Sequence, residues 1–331
     1  MIVRFASSAP RRRVRGQRGV SLVELLVSSA IGIFLTGGAL LVYIESRDAI
    51  QVSASIARLL ENGRFAFSLM EPDLRAANFW GLHDFPTVIE GRATDTTPLN
   101  VAIAGDCEGD FSLDVETPLA GANGARPAGW ACMTDDQHRA GSDIIIVRHV
   151  AEDAIATADL DAGRIYVRSD ESPRGALFVG AEPTGFSPFA ENHALVSNVY
   201  YVRPWSFAAG DGLPSLRRKI LREAGGQMTL VDEEVIPGVE DMQIQFGVDM
   251  NGDQAADAYV DADNDPILDA PGADVVSMRV WLLMRAEDPE MGYSDTRSFT
   301  LGDVVRTAGA GDIPDNFRRV LLSRTIAVRN P

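Results

Sequence analysis

Lysine is almost missing from this chain: Lys219 is the single lysine among 30 basic residues, a scarcity that carries no function by itself. Histidine and cysteine are also scarce. Four histidines (His83, His138, His149, His193) are scattered along the chain, and the two cysteines are Cys107 and Cys132. No nearby Cys or His completes a four-ligand zinc set with the cysteine pair, so the histidines read as ordinary surface or strand residues. The chain has no nucleotide fingerprint, no phosphate loop, no G-x-S-x-G elbow and no H-E-x-x-H pair. Acids are abundant, but abundance is not a catalytic constellation, and no enzyme is expected. The formal net charge of -17 argues against nucleic-acid binding, because phosphate contacts need clustered Lys and Arg.

What is present begins with uneven charge. Residues 1–19 hold six arginines (Arg4, Arg11, Arg12, Arg13, Arg15, Arg18) and no acid; without these six, 24 basic residues face 47 acidic ones, a net charge of -23. The 331 residues are 46% hydrophobic and 23% charged, enough for one large domain or two small ones behind an anchor. Residues 25–44 (LLVSSAIGIFLTGGALLVYI) carry no charge. At about 1.5 Å rise per residue, a helix of that length spans a hydrocarbon core of ~30 Å. The basic run just before it predicts a cytoplasmic leader and an exported remainder. An ordinary secretory signal has a shorter apolar stretch followed by a small-residue cleavage site. Here the small residue, Gly19, precedes the apolar stretch, and Glu24 sits almost at the membrane edge. A carboxylate there is costly in lipid and points to a functional partner.

The string Arg18-Gly19-Val20-Ser21-Leu22-Val23-Glu24-Leu25-Leu26 resembles the class III signal of type IV pilins and pseudopilins. The resemblance implies that a prepilin peptidase cuts between Gly19 and Val20 and methylates the new amine of Val20. Glu24 then becomes the fifth residue of the mature chain. A new ammonium and the Glu24 carboxylate on neighbouring subunits would neutralise each other in an apolar filament core, where either charge alone is costly. Val20 departs from the pattern, since major pilins usually carry Phe there; minor members tolerate the change.

Beyond residue 44 the apolar positions Val52, Ile56, Leu59, Leu60, Gly63, Phe67, Met70 and Leu74 recur every three or four residues, the pattern of an amphipathic helix packed on a domain. Pro72 is expected to kink or restart this helix, which should end near Asn78. Four later strings are similar to PilW-type minor pilins. They are Glu61-Asn62-Gly63-Arg64-Phe65-Ala66-Phe67 with Asp73-Leu74-Arg75 and Trp80-Gly81; Gly141-Ser142-Asp143 leading into Ile144 to Arg148; Gly238-Val239-Glu240-Asp241-Met242-Gln243 with Phe246 to Asp249; and the C-terminal run from Arg318 to Asn330. These strings carry the choice of subfamily and are loosest between residues 82 and 140.

The expected fold is α+β: a long N-terminal helical spine, membrane-spanning in its first half, packed on a mostly antiparallel β domain. Expected divisions are a cleaved cytoplasmic leader (1–19), a membrane and filament-core helix (20–44), its amphipathic continuation (45–78) and an exported β-rich domain (79–331), with 82–140 able to form a loop-rich insert. Strands are expected at 143–149, 164–168, 196–203, 216–222, 239–248, 275–284 and 319–328. Export makes one disulfide between Cys107 and Cys132 the expectation, with free thiols as the alternative; such a crosslink would stabilise by about 3 kcal/mol.

The sharpest chemistry in the domain is an aspartate run. Asp249, Asn251, Asp253 and Asp257 stand at ligand-like spacing, with the Ala255 carbonyl between them and Asp261, Asp263, Asp265 and Asp269 following. Alternate oxygens in a tight turn can converge on Ca²⁺, which takes six to eight of them. The glycine and the twelfth position, Val260, depart from an EF-hand. Asp, Asn and Gly also form plain turns, so a cation loop and a solvated hairpin both stay open. The function implied by the resemblance is that of a minor pilin priming or capping a type IV pilus, with support of twitching motility and adhesion. Its partners would be the prepilin peptidase, other minor pilins, the major pilin, the inner-membrane assembly machinery and, before assembly, the lipid bilayer. The expected location is the bacterial inner membrane with a periplasmic domain, then the pilus at the cell surface. The alternatives are a minor pseudopilin of a type II secretion system and a single-pass membrane-anchored surface-binding protein.

Overall fold

The computed structural model describes residues 19–268, 270, 272–311 and 313–330, with Asp48, Asp265 and Pro266 described by their backbone alone. Helix α1 spans Leu22–Arg75. It is followed by strands β1 (Ile89–Glu90), β2 (Leu119–Ala122), β3 (Ile144–Val150), β4 (Ile165–Ser169), β5 (Gly175–Val179), β6 (Glu191–Arg203), β7 (Ser215–Ala224), β8 (Gln227–Pro237), β9 (Val239–Asp249), β10 (Ala258–Asp261), the short helix α2 (Asp265–Leu268), β11 (Asp274–Arg285), β12 (Ser298–Leu301), β13 (Val304–Thr307) and β14 (Arg319–Ala327). The architecture is α+β. The chain divides into two compact units, one ending at Ala54 and one beginning at Ser55.

In the first unit every side chain described is exposed, including Val20, Leu22, Phe34 and Leu41, except that of the half-buried Val52. Ser28, Ser29, Thr36 and Ser53 each donate their hydroxyl to the carbonyl four residues back. These polar side chains are thereby satisfied within the helix. Among the described residues this is the one helix long and apolar enough to cross a membrane.

In the second unit the chain builds one large sheet, one four-stranded sheet and a hairpin. The large sheet runs β1-β5-β4-β6-β3-β2, with β7 added to β6 and β8 to β7. The long strand β6 makes this branching work, pairing with β4, β3 and β7 along its length. The second sheet runs β10-β9-β11-β14, all antiparallel, and β12 pairs with β13. Among the described residues the one parallel strand pair is β1 with β5.

Alternation divides the large sheet's faces. Ile145, Val147, Tyr200 and Val202 face one core, shared with Leu59, Phe67, Met70 and Leu74 of α1 and with Met242, Ile244, Val280 and Leu282 of the second sheet. Ile144, Ile146, Val199 and Tyr201 face the other, which residues 79–133 cover through Trp80, Cys107, Leu113, Val115 and Trp130. Residues 82–140 therefore do not stand apart as an insert. Their apolar side chains have no core of their own and are buried on the sheet.

Two helix expectations change. The helix continues through Pro72 and ends at Arg75. Pro72 cannot donate to the Ser68 carbonyl, but both residues are exposed, so water can take the missing partner's place and no break is forced. Asn78 lies beyond the end, at a positive φ of 63°, and the Arg75 carbonyl accepts the Arg329 N–H at 3.1 Å.

Gly63 marks where α1 crosses the second sheet. A Cβ there would stand 2.0 Å from Leu322 Cδ1 and 3.3 Å from Met284 Cγ. Gly63→Val should therefore lower stability by about 1–3 kcal/mol through overpacking, read as a lower denaturation midpoint with an unchanged m-value.

Candidate functional site

The first candidate site is the start of α1. Gly19 and Val20 precede the helix in irregular backbone, and Glu24 lies in the first helical turn, exposed. An acid in a first turn is favoured by the unpaired N–H groups there. Residues 1–18 of the expected leader lie outside the described residues.

The second is the anchor at the other end of α1. Asp73 Oδ2 accepts the Asn198 side-chain amide at 2.6 Å and the Tyr200 hydroxyl, both from β6. Arg218 of β7 stands 3.8 Å from the same carboxylate. His149 of β3 donates through Nδ1 to the Val150 carbonyl at 2.8 Å, which turns Nε2 toward Asp73 at 3.7 Å. Burial alone would raise the Asp73 pKa. The His149 imidazole, the Tyr200 hydroxyl and the Asn198 amide outweigh burial and hold the carboxyl below its usual range. One side chain thus ties the helix to three strands.

The third lies at the seam of the two sheets. Strand β10 pairs with β9 only from Gln245 onward, which leaves backbone groups of Met242 and Ile244 open. Ser142 and Asp143 fill them. The Ser142 hydroxyl both donates to the Met242 carbonyl and accepts the Met242 N–H, each at 3.1 Å. Asp143 donates its N–H to the Met242 carbonyl at 2.8 Å. Its carboxylate accepts the Ile244 and Gly124 N–H groups, also at 2.8 Å. Arg306 of β13 clamps the seam from outside, donating to Asp241 at 2.5 Å and to the Gly141 carbonyl at 2.6 Å. Gly141 has φ +82°, and a Cβ would stand 2.7 Å from the Arg306 guanidinium, so glycine is needed on both counts. Burial, with Asp241 and Asp303 nearby, pushes Asp143 up to about 7 against its two N–H bonds. Burial likewise raises Asp241 despite Arg306.

Three buried arginines complete the framework. Arg319 of β14 grips Glu240 of β9 with two bonds, at 2.5 and 3.0 Å, and neither side chain is exposed. Arg285 of β11 approaches the same carboxylate at 3.6 Å and lies over the Phe317 ring. Arg148 of β3 points to the opposite face. It donates to the Phe111 and Thr117 carbonyls at 3.0 and 2.6 Å and lies 4.4 Å from the Phe111 ring. Burial lowers its pKa to about 10. Arg148 thereby holds the cover segment, which the Cys107–Cys132 disulfide also closes.

The expected calcium residues have other partners. Asp249 accepts the Asn251, Gly252 and Gln254 N–H groups at 2.6–2.9 Å. These bonds, from Asn251 first, hold its carboxyl below the usual range. Asp257 accepts from Met250 N–H and the Asn251 amide, and Asp253 from Ala255 N–H. Asp261 and Asp263 turn away to the Gln245 and Asn123 amides. Asp265 is described by its backbone alone, and Asp269 lies outside the described residues. Among the described residues, no three His, Cys, Asp or Glu side chains stand together as a metal site. The loop is organised by side-chain bonds to its own N–H groups, and a cation would have to compete with them.

The residues missed from the sequence are the partners: Asn198, Tyr200, Arg218, Arg285 and Arg306. The strings that carry the family resemblance are, by contrast, mutual contacts. Ser142 and Asp143 meet Met242, Glu240 meets Arg319, Gly63 meets Leu322, and the Arg75 carbonyl meets the Arg329 N–H. Chemically, each carboxylate of this framework is met by a cation, a side-chain donor or backbone N–H groups, and the arrangement fixes helix and sheets in one register.

Residues 199–330 match the family model of the type IV pilus-assembly protein W, PilW. The structure is similar to that of a type IV-like pilin from Thermus thermophilus at 12% identity, over 82% of this chain and 96% of that one, with a TM-score of 0.33. Among curated proteins none matches.

Asp73→Ala should cost about 2–3 kcal/mol, since it leaves buried donors unpaired; chemical denaturation of the wild type and the variant measures it. Asp143 gives a pH signature. Its folded pKa of about 7 lies above the usual 3.8, so its stabilising contribution is full below the lower value and lost as pH rises through the higher. The wild type should therefore lose stability relative to Asp143→Asn between about pH 4 and about pH 8, as followed by parallel unfolding curves.

Proposed function

We propose that this chain is a minor pilin of a type IV pilus that acts by assembly, its apolar N-terminal helix packing beside those of other minor pilins to prime or cap the fibre. The match of residues 199–330 to the PilW family carries the reading, and the uncharged helical segment preceding the domain supports it. In this reading the prepilin peptidase cuts between Gly19 and Val20 and methylates Val20. The leader stays in the cytoplasm, the helix waits in the inner membrane, and the domain lies in the periplasm until the assembly machinery draws the subunit out. Glu24 then meets the new amine of a neighbour, in surroundings where an unpaired charge is costly. In the fibre the domain would support twitching motility and adhesion.

Mass spectrometry of the chain from its native membrane should find N-methylated Val20 as the first residue. Glu24→Ala should leave cleavage intact but reduce piliation and twitching by about tenfold or more. An intact leader on the mature protein would sink the reading.

A further inference from the structure

We propose that the outer edge of β14 receives an extended, acid-bearing segment of a neighbouring pilin as a fifth strand of the second sheet. The inference rests on the assembly role above for the identity of the neighbour. The edge itself stands on geometry.

Strand β14 pairs with β11 over nine residues without a register shift. The Val328 N–H bonds the Val276 carbonyl, and the Ala286 N–H bonds the Arg318 carbonyl. Even-numbered residues therefore turn their backbone groups to β11, and odd-numbered ones turn theirs outward. Both ends of the outward row are occupied. Arg297 donates to the Arg319 carbonyl at 3.1 Å, and the Arg329 N–H reaches the Arg75 carbonyl of α1. Between them, among the described residues, no backbone partner meets Leu321, Ser323, Thr325 or Ala327 on that side, and the last three are exposed. An open edge of this length is a template for strand addition. The strand carries no proline, bulge or lysine that would blunt it. Two other edges are covered by the chain itself: Ala104 bonds along β8, and Ser142 with Asp143 occupies the free half of β9.

Charge selects the occupant. Residues 318–330 hold four arginines and no acid, in a chain of net charge -17; Arg318 and Arg319 are taken by Glu290 and Glu240, and Arg324 and Arg329 are exposed. Arg324 and Arg329 line a groove of about 430 Å³ beside the strand, together with Arg75 of α1. Their present partners, Glu71 and Glu152, form solvent-exposed pairs, which are weak and exchangeable. Antiparallel pairing of two β14 strands would bring two arginine-rich strands together, whereas an acid-bearing segment is complementary.

Thr325→Pro tests the proposal. Its N–H points outward, so the substitution removes one edge donor and no bond to β11. The full-length variant in detergent should melt with the wild type, while its recovery in sheared pili falls about tenfold. Ser323→Pro, with the same outward N–H, replaces it if Thr325→Pro lowers the melting temperature. Hydrogen exchange on the unaltered chain gives an independent reading: the amides of Leu321, Ser323, Thr325 and Ala327 should slow about tenfold in pili relative to detergent. Wild-type chain incorporated into pili with these amides still exchanging as in detergent would overturn the edge proposal and leave the pilin reading standing. A β14-mediated dimer of the chain in detergent would also overturn it, in favour of self-pairing.

Discussion

The carboxylate of Asp73 is the constraint on which the rest of this structure depends. It sits in the last turn of a 54-residue helix and is held by Asn198, Tyr200, Arg218 and His149, which come from three neighbouring strands. Apolar packing of Leu59, Phe67, Met70 and Leu74 supplies most of the burial at the helix–sheet interface, but such contacts are non-directional and tolerate sliding. A half-buried carboxylate with fixed donors does not. It selects one register of helix on sheet.

Strand β3 carries that logic through the domain. His149 faces the helix, Arg148 faces the cover segment, and Asp143 just before the strand reaches the second sheet. Buried ion pairs are weak sources of net stability, because desolvation offsets attraction. Their value here is specificity. Glu240 accepts two bonds from Arg319 with Arg285 alongside, and any slip of β14 against β9 across β11 would leave a charge unpaired in the interior.

Seven strands were legible from β-branched and apolar runs between turn residues, and β3, β4, β6, β7, β9, β11 and β14 lie where those runs predict them. Strand β8 was not legible. Asp232, Glu233 and Glu234 interrupt its apolar pattern, and only the fold shows that Arg217, Arg218 and Arg222 on β7 meet them. The segment before β3 was illegible for another reason: it is mostly irregular backbone, held by Arg148 and the disulfide rather than by a periodic pattern. The aspartates of 249–257 read two ways, since ligand spacing and turn-forming spacing use the same residues.

By itself the sequence determined what depends on neighbours along the chain: an uncharged helix long enough to cross a membrane, the glycine and acid at its start, the alternation of the strands and the positions of the turns. Tertiary structure alone decided which acids are buried, which arginines meet them and which sheet edge stays open. The reason is range. Hydropathy and periodicity act over a few residues, whereas Asp73 and Tyr200, Asp143 and Ile244, or Glu240 and Arg319 lie roughly eighty or more positions apart. Their pairing becomes favourable only when the whole core has removed them from water.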